Sequence, residues 1–192
     1  MGSPKALLDW FGVPLVQSQI NSLLGAGVNS VFVVTGHRAY EVRDAIGGDR
    51  VQAVMNPHYK EGKSTSVKAG LAALPDNIDA IVLLAVDQPR PPWLIKQVLD
   101  AHIDRKAVIS CPRYDGHGGH PLIFDVSLML ELDRISEYSQ GVREVMRNHA
   151  DEINWIEVDS PLARLDMNTP DAYEAAREAY AAYDRFANDG SK

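Results

Sequence analysis

The residue whose position says most about chemistry is Asp87, which directly follows the apolar run Ala80–Val86. A carboxylate there lies at the mouth of a core strand, where open parallel sheets bind their ligands. It could be a turn former or helix cap ahead of Pro89. It could also be a Mg²⁺ ligand, because a hard cation binds carboxylate oxygen together with water and substrate phosphates. Position alone favours neither interpretation.

A run of small residues, 62–66, opens a predicted helix. Its backbone N–H groups could hold an anion or a ribose, although simple N-capping by Ser64 is the interpretation that this run alone favours. The chain contains neither G-x-x-x-x-G-K-[ST] nor G-x-G-x-x-G, so it carries no P-loop and no dinucleotide fingerprint.

Two later segments carry further polar groups. The loop Asp115–Pro121 contains two histidines but also three glycines, which hold a metal poorly. We therefore expect its backbone to approach a ligand, with His120 directed at that ligand. Asp166 and Asn168 alternate along an extended segment, so they either belong to an ordinary cap or present two oxygens to a metal shared with Asp87.

No Ser/His/Asp nucleophile set can be argued from the sequence. Cys111 is the single cysteine, which excludes an intrachain disulfide, and its apolar surroundings predict a core position.

Short apolar runs and helical patterns alternate along the chain. Buried strands are predicted where turn residues end an apolar run, at 30–35, 51–55, 80–86 and 107–111. Helices are predicted between them, with apolar faces at Val16, Ile20, Leu23 and Leu24, at Val42, Ala45 and Ile46, at Val67, Leu71 and Leu74, and at Ile95, Val98, Leu99 and Ile103. A last helix starts at Thr169-Pro170 and places Tyr173, Ala176 and Tyr180 on one side.

This alternation predicts an α/β fold, with a mostly parallel sheet covered by helices on both faces. The segment 121–124 leaves little room for a crossover helix, so we expect it to be an antiparallel strand within the sheet. We predict one domain over 1–187 and a frayed tail at 188–192.

Composition limits the classes of function. The chain of 192 residues has a formal net charge of −7 and scattered Lys and Arg, which argues against a nucleic-acid binder. Its longest apolar run is too short to span a membrane, and no signal pattern opens the chain. We therefore expect a soluble cytoplasmic protein with neither nucleic acid nor membrane as a partner.

An ordered set of motifs resembles the MobA-like nucleotidyltransferases, and within them the molybdenum-cofactor cytidylyltransferases and their hydroxylase-maturation relatives. The resemblance covers nearly the whole chain. The motifs are Met1-Gly2-Ser3-Pro4-Lys5 with Leu7-Leu8-Asp9-Trp10, Val33-Val34-Thr35-Gly36-His37, Asn56-Pro57-His58-Tyr59 with Gly62 and Ser66-Val67-Lys68-Ala69, Asp87-Gln88-Pro89, Gly119-His120-Pro121, and Leu165-Asp166-Met167-Asn168-Thr169-Pro170-Asp171.

The resemblance implies a Rossmann-like three-layer α/β/α fold of the nucleotide-diphospho-sugar transferase type. It also implies Mg²⁺-dependent transfer of a nucleotidyl group from CTP, or GTP, to the phosphate of molybdopterin, with release of pyrophosphate. A molybdenum hydroxylase apoenzyme would be a further partner.

The same resemblance implies roles for particular residues. Lys5 and Asp87 would be catalytic, with Lys5 neutralising nucleotide phosphates. The implied nucleotide-binding residues are Gly2, Lys5, Gly36, Asn56, Ser66 and Asp87; the implied metal ligands are Asp87, Asp166 and Asn168; and the implied acceptor-binding residues are Gly119, His120 and Pro121.

The sequence departs from the family pattern in two places. Asn168 stands where the family usually has Asp, so the metal site would have one charge fewer. The family also has a strand and a Gly-rich loop, ending in an Arg, directly before the Gly2 position. We interpret the sequence as starting at an internal Met or as a shortened chain. For the chain alone we expect an exposed sheet edge, lower stability and weak or no catalysis.

Two alternatives remain open at this point. One is a non-catalytic protein that binds a molybdenum cofactor and delivers it to an apo-hydroxylase. The other is a nucleotidyltransferase that acts on a different phosphate acceptor.

Overall fold

The computed structural model describes residues 4–189, with side chains as far as residue 183. The strands are β1 Asp9–Trp10, β2 Val13–Pro14, β3 Val31–Thr35, β4 Val51–Met55, β5 Ala80–Leu83, β6 Ile109–Tyr114, β7 His117–Gly118, β8 Leu122–Asp125 and β9 Ile153–Glu157. The α-helices are α1 Leu15–Gly25, α2 Ala39–Asp44, α3 Lys63–Leu71, α4 Pro92–Arg105, α5 Met129–Arg134, α6 Val142–Asn148 and α7 Pro170–Asp189. Five short 3₁₀ helices join them within this part of the chain, at Lys5–Leu7, Tyr59–Glu61, Val126–Leu128, Ala150–Glu152 and Pro161–Arg164.

The strands confirm the predicted mixed α/β class with a mostly parallel sheet. β3 and β4 pair in parallel. β8 lies antiparallel between β5 and β6, and β9 is parallel to β6, so β5, β6 and β9 run in the same direction. The antiparallel strand was therefore predicted correctly at β8, whereas the two-residue β7, antiparallel to the end of β6, was not predicted.

Hydrogen bonds divide these strands between two sheets. Among the described strands, β3 pairs only with β4 and β5 pairs only with β8, so each keeps one edge without a strand partner. A third, small ladder joins β1 and β2, where the chain turns through Phe11-Gly12 before α1.

The core lies on both faces of the sheet, because successive residues of a strand point to opposite sides. Phe124 packs with residues of α3, α5 and α6, and the next side chain along β8, Ile123, packs with residues of α4 and the 3₁₀ helix 161–164. Both side chains are fully buried. The result is the predicted three-layer arrangement, with helices covering each face.

Two strand predictions need correction at their ends. The run 80–86 forms a strand only as far as Leu83, because its partner strand β8 begins at Leu122, directly after Pro121, which has no N–H to donate. The run 107–111 forms a strand that starts at Ile109 and continues through Pro112 to Tyr114. Parallel pairing with β9 runs from Ile109 to Arg113, so the proline does not end the strand.

The helix predictions are correct in type and differ in detail. The predicted face of α4 is wrong at Ile103, which is 60% exposed, whereas Leu94 on the same helix is fully buried. In α7 the Thr169 hydroxyl accepts from the Ala172 N–H as predicted, and Ala176 is buried. α7 runs to Asp189, so residues 188 and 189 of the predicted tail are helical, and 190–192 lie outside the described residues.

Within residues 4–189, no helix is both long and apolar enough to cross a membrane.

Candidate active site

Three of the predicted site residues meet at the carboxyl end of β5. The Lys5 Nζ donates to Asp87 Oδ2 at 2.9 Å and to Asn168 Oδ1 at 2.7 Å. Asp87 lies 82 positions and Asn168 lies 163 positions after Lys5 in the chain. The side chains of Lys5 and Asp87 are 32% and 19% exposed, so the ion pair lies at the rim of the fold and remains open to a ligand.

Neighbouring elements hold the Asp87 loop from two sides. On one side, the buried Gln19 of α1 donates from Nε2 to the carbonyls of Ala85 and Val86, at 3.2 and 3.4 Å. On the other side, the Met167 N–H donates to the Asp87 carbonyl at 2.9 Å. Because Met167 is fully buried, it fixes the segment that carries Asn168 against the end of β5.

The third predicted metal ligand, Asp166, does not join this cluster directly. In the described part of the chain no hydrogen bond or ion pair is formed by its carboxylate, which is exposed. Its negative charge acts instead on Arg90, where it opposes the lowering of the guanidinium pKa. A cluster of three His, Cys, Asp or Glu residues suited to a metal is absent from residues 4–189. The role of Asp166 as a ligand stays a prediction.

The predicted nucleotide-binding residues Asn56 and Ser66 contact each other. Asn56 follows β4, is 2% exposed, and donates from Nδ2 to Thr65 Oγ1 at 2.9 Å and to Ser66 Oγ at 3.0 Å. Its Oδ1 accepts from the His58 N–H at 2.9 Å. Through these hydrogen bonds the Asn56 amide holds the first turn of α3 against the end of β4.

Gly36 has a packing reason for its identity. A Cβ atom at this position would lie 2.4 Å from the Cβ of Tyr59, so only glycine lets the end of β3 approach that ring. A contact of Gly36 with nucleotide stays a prediction. Gly2, also predicted to bind nucleotide, lies outside the described residues.

The prediction that Ser64 caps α3 is wrong. The N-cap residue is Gly62, with φ +122°, and its lack of a side chain leaves the end of the helix open. Glu137, from the loop after α5, takes the capping role and accepts from the Ser64 N–H at 2.6 Å. This hydrogen bond lowers the Glu137 pKa. A carboxylate is thus already bound where the sequence suggested an anion.

The predicted acceptor loop packs against the segment before Asn168. Gly119 approaches that segment so closely that a Cβ would lie 2.1 Å from the Ala163 carbonyl oxygen. The next N–H, of His120, donates to the same oxygen at 3.0 Å. The peptide bond between His120 and Pro121 is cis.

The imidazole of His120 is held neutral. Burial, with the charges of Arg90 and Lys63, lowers the pKa of His120 to about 4, against a smaller opposing effect of Asp87. Among the described residues the imidazole has no hydrogen-bond partner, so it is available to a ligand. These charges also show that the start of α3, the end of β5 and the acceptor loop converge on one region.

The sequence analysis missed two residues in this region, Gln19 and Arg90. Gln19 lies on the apolar face of α1, and its only sequence signal is a polar residue between Val16 and Ile20. Arg90 follows the Asp87-Gln88-Pro89 motif and precedes two prolines. A charged residue enclosed by prolines in this turn is the sequence signal that could have identified it. Cys111 is in the core as predicted, and burial raises its pKa to about 11.

Open α/β sheets bind their ligands beyond the carboxyl ends of the strands, and the cluster of Lys5, Asp87 and Asn168 lies at such an end. Residues 1–153 match the MobA-like NTP transferase domain family, and the chain belongs to that family. This confirms the resemblance seen in the sequence and defines the protein as a nucleotidyltransferase in class.

Known relatives extend over nearly the whole chain. It is 26% identical over 187 residues to the molybdenum cofactor cytidylyltransferase of Escherichia coli (strain K12), covering 94% of this chain and 90% of that protein. It is also 26% identical over 174 residues to the nicotine blue oxidoreductase of Paenarthrobacter nicotinovorans, covering 86% and 84%. The fold is similar to that of Rv0371c from Mycobacterium tuberculosis H37Rv, with a TM-score of 0.80, 25% identity and coverage of 93% and 90%. A second structure of Rv0371c, at TM-score 0.76, 24% identity and 92% coverage of both chains, is a complex with manganese.

Proposed function

We propose that this protein transfers the CMP group of CTP to the terminal phosphate of a molybdopterin-type cofactor, releases pyrophosphate and depends on Mg²⁺. The observation that carries the proposal is the contact of the Lys5 ammonium with both Asp87 and Asn168. The similarity to the Escherichia coli cytidylyltransferase supports CTP and the molybdenum cofactor as substrates.

The donor atoms at this position fit Mg²⁺. Two oxygen atoms, one from a carboxylate and one from an amide, already hold a positive charge, that of Lys5, between them. Mg²⁺ usually binds one or two protein carboxylates and takes its other ligands from water and phosphate, so this small set suffices. When bound, Mg²⁺ supplies charge neutralisation at the triphosphate.

The proposed reaction is a displacement at phosphorus. An oxygen of the acceptor phosphate attacks the α-phosphorus of CTP, and a new phosphoanhydride bond forms. The bond between the α-phosphorus and the bridging oxygen breaks, and its electron pair leaves with pyrophosphate. Because the nucleophile is already an anion, the chain mainly has to hold two negatively charged substrates together and offset their charge.

Each group of residues has a part in this step. Asp87 and Asn168 would hold Mg²⁺, and Lys5 would neutralise the nucleotide phosphates. The start of α3, held by Asn56 through Ser66, would line the nucleotide pocket. The neutral imidazole of His120 would donate or accept one hydrogen bond at the acceptor, with Gly119 and Pro121 forming the wall beside it.

The test is turnover. Pyrophosphate release is measured with CTP, GTP or ATP, with and without Mg²⁺ and a molybdopterin acceptor. We expect release only with CTP, Mg²⁺ and acceptor together, and loss of release in Asp87→Asn. The matched control is Lys96→Ala, which removes an exposed 3.0 Å ion pair with Asp100 on α4.

The result that contradicts the proposal is absence of pyrophosphate release under all these conditions. Stoichiometric binding of the cofactor without release of pyrophosphate would favour the non-catalytic carrier. Release with CTP and another phosphate acceptor would keep the transferase and replace the substrate.

A further inference from the structure

Arg90 is a buried cation that the proposed reaction does not use directly. It is 1% exposed and follows the Asp87-Gln88-Pro89 turn. Burial lowers its pKa to about 9, and the nearby charges of Asp166, Tyr180 and Asp87 oppose that effect. Burying a guanidinium costs free energy unless its hydrogen bonds repay the loss of water. The hydrogen bonds of this side chain therefore indicate what it does.

The guanidinium joins three segments of the site through their backbone carbonyls. Nε donates to the His120 carbonyl at 2.9 Å. Nη1 donates to the Pro89 carbonyl at 2.8 Å and to the Leu165 carbonyl at 3.0 Å. These carbonyls belong to the acceptor loop, the turn after Asp87 and the segment that leads to Asn168. Two backbone hydrogen bonds join the same segments in pairs, from the His120 N–H to the Ala163 carbonyl and from the Met167 N–H to the Asp87 carbonyl, whereas the guanidinium reaches all three.

We propose that Arg90 is a positioning residue, which sets the acceptor loop at a fixed distance from the nucleotide and metal side of the site. This inference rests on the proposed function. Nucleotidyl transfer requires the acceptor phosphate in line with the α-phosphorus, and His120 faces the acceptor while Asp87 and Asn168 face the triphosphate. Arg90 is the single side chain, among those described, that hydrogen-bonds to the acceptor loop and to both flanking segments.

Burial excludes direct contact between Arg90 and a dissolved ligand in this conformation. Its Nη2 is sealed from solvent and has no hydrogen-bond partner in the described chain. An arginine selected to bind phosphate would present its free N–H groups to the pocket. Here the three bonds to carbonyls use the planar fork of the guanidinium, which a lysine ammonium cannot reproduce.

The test compares Arg90→Lys with Val98→Ala. Lysine keeps the positive charge and loses the fork, so a role based on charge alone would survive this change. Val98 is fully buried in α4 and packs in the same apolar cluster as Ala163. Its truncation therefore loosens the layer beside segment 163–168 without removing any of the three hydrogen bonds of Arg90. Both variants are measured by thermal unfolding, by steady-state kinetics on CTP and acceptor separately, and by hydrogen exchange.

For Arg90→Lys we expect kcat/KM for the acceptor to fall by about 10- to 100-fold, because misplacement of a substrate by about 1 Å costs on that order. KM for CTP should stay unchanged. Amide exchange should accelerate in segments 117–121 and 163–168 beyond any change in Val98→Ala. Val98→Ala should lower Tm and leave the kinetic constants of the two substrates in the same ratio.

Three outcomes decide the matter. Unchanged exchange in both segments of Arg90→Lys overturns the positioning role, whatever the enzyme does. Faster exchange with equal rises in KM for CTP and in KM for the acceptor also overturns it, since the residue would then be merely structural. If the wild-type protein shows no turnover but exchange still accelerates in both segments of Arg90→Lys, the proposed function is contradicted. The conclusion that Arg90 holds the three segments together then still stands.

Discussion

The ammonium of Lys5 lies 2.9 Å from the carboxylate of Asp87, a residue that is 82 positions further along the chain. The contact links the first described turn of the chain to the loop that follows β5. A third group, the amide oxygen of Asn168, accepts from the same nitrogen. The arrangement brings one ammonium group, one carboxylate oxygen and one amide oxygen to a single point of the fold.

Replacing Lys5 by Ala should impair the reaction far more than the stability of the fold. The ion pair is partly exposed, so its loss costs little free energy of unfolding. Loss of the Lys5 ammonium beside the triphosphate should lower kcat/KM for CTP by about 100-fold, the usual effect of removing one group that stabilises developing charge. Steady-state kinetics on Lys5→Ala and on Lys96→Ala provide the comparison. Equal kinetic constants in the two variants would refute the role of Lys5.

Replacing Asn168 by Asp should strengthen the metal site. The amide oxygen of Asn168 lies 2.7 Å from the Lys5 ammonium nitrogen and carries no net charge. A carboxylate in its place would add one negative charge for the metal. We expect the half-saturating Mg²⁺ concentration to fall several-fold when it is titrated in the presence of CTP. Asn148→Asp serves as the control, because Asn148 is an exposed residue of α6 paired with Glu131. The same Mg²⁺ dependence in wild type and Asn168→Asp would place the metal elsewhere.

Replacing Gly119 by Ala should destabilise the protein through a backbone clash. The new Cβ would lie 2.1 Å from the Ala163 carbonyl oxygen, so the acceptor loop would have to move. Overpacking of this kind costs about 1–3 kcal/mol in free energy of unfolding. The control is Gly47→Ala, where no atom lies within 4 Å of the new Cβ. Urea unfolding of both variants tests this; a Gly119→Ala protein as stable as Gly47→Ala would contradict the close packing.

Stability should fall in acid because of His120. The folded protein lowers the pKa of this imidazole from 6.5 to about 4, mainly through burial, so the unfolded chain binds more protons between these values. The free energy of unfolding should therefore decrease as the pH falls through this window, by about 3 kcal/mol for this residue. Urea unfolding of wild type and His120→Gln at pH 7.5 and 4.5 separates this contribution from that of His102, whose pKa burial also lowers. An equal loss of stability in both proteins would show that His120 is not held neutral.

Local sequence patterns predicted the layers of this fold well. Runs of β-branched residues between turn formers located β3 and β4, and the lack of room for a crossover helix gave the direction of β8. Strand ends were less predictable, because pairing decides them. β6 continues through Pro112 since β9 lies beside it, and nothing in the local sequence at 112 reveals that neighbour.

The candidate site was also only partly predictable from the sequence. Motif order identified Lys5, Asp87 and Asn168, which the structure brings together. The capping of α3 by Glu137 depends on a loop 73 residues away from Ser64, and no pattern near Ser64 contains it. Arg90 was missed for a related reason: its partners are backbone carbonyls, and these exist at every position of the chain.

The most direct test of the nucleotidyltransferase account is the Mg²⁺-dependent thermal shift with nucleotides. Tm is measured with CTP, GTP and ATP, each with and without Mg²⁺, for wild type and Asp87→Asn, because binding to the folded state raises Tm by mass action. The account predicts a shift with CTP that requires both Mg²⁺ and Asp87. Absence of a shift with every nucleotide, with and without Mg²⁺, would contradict it.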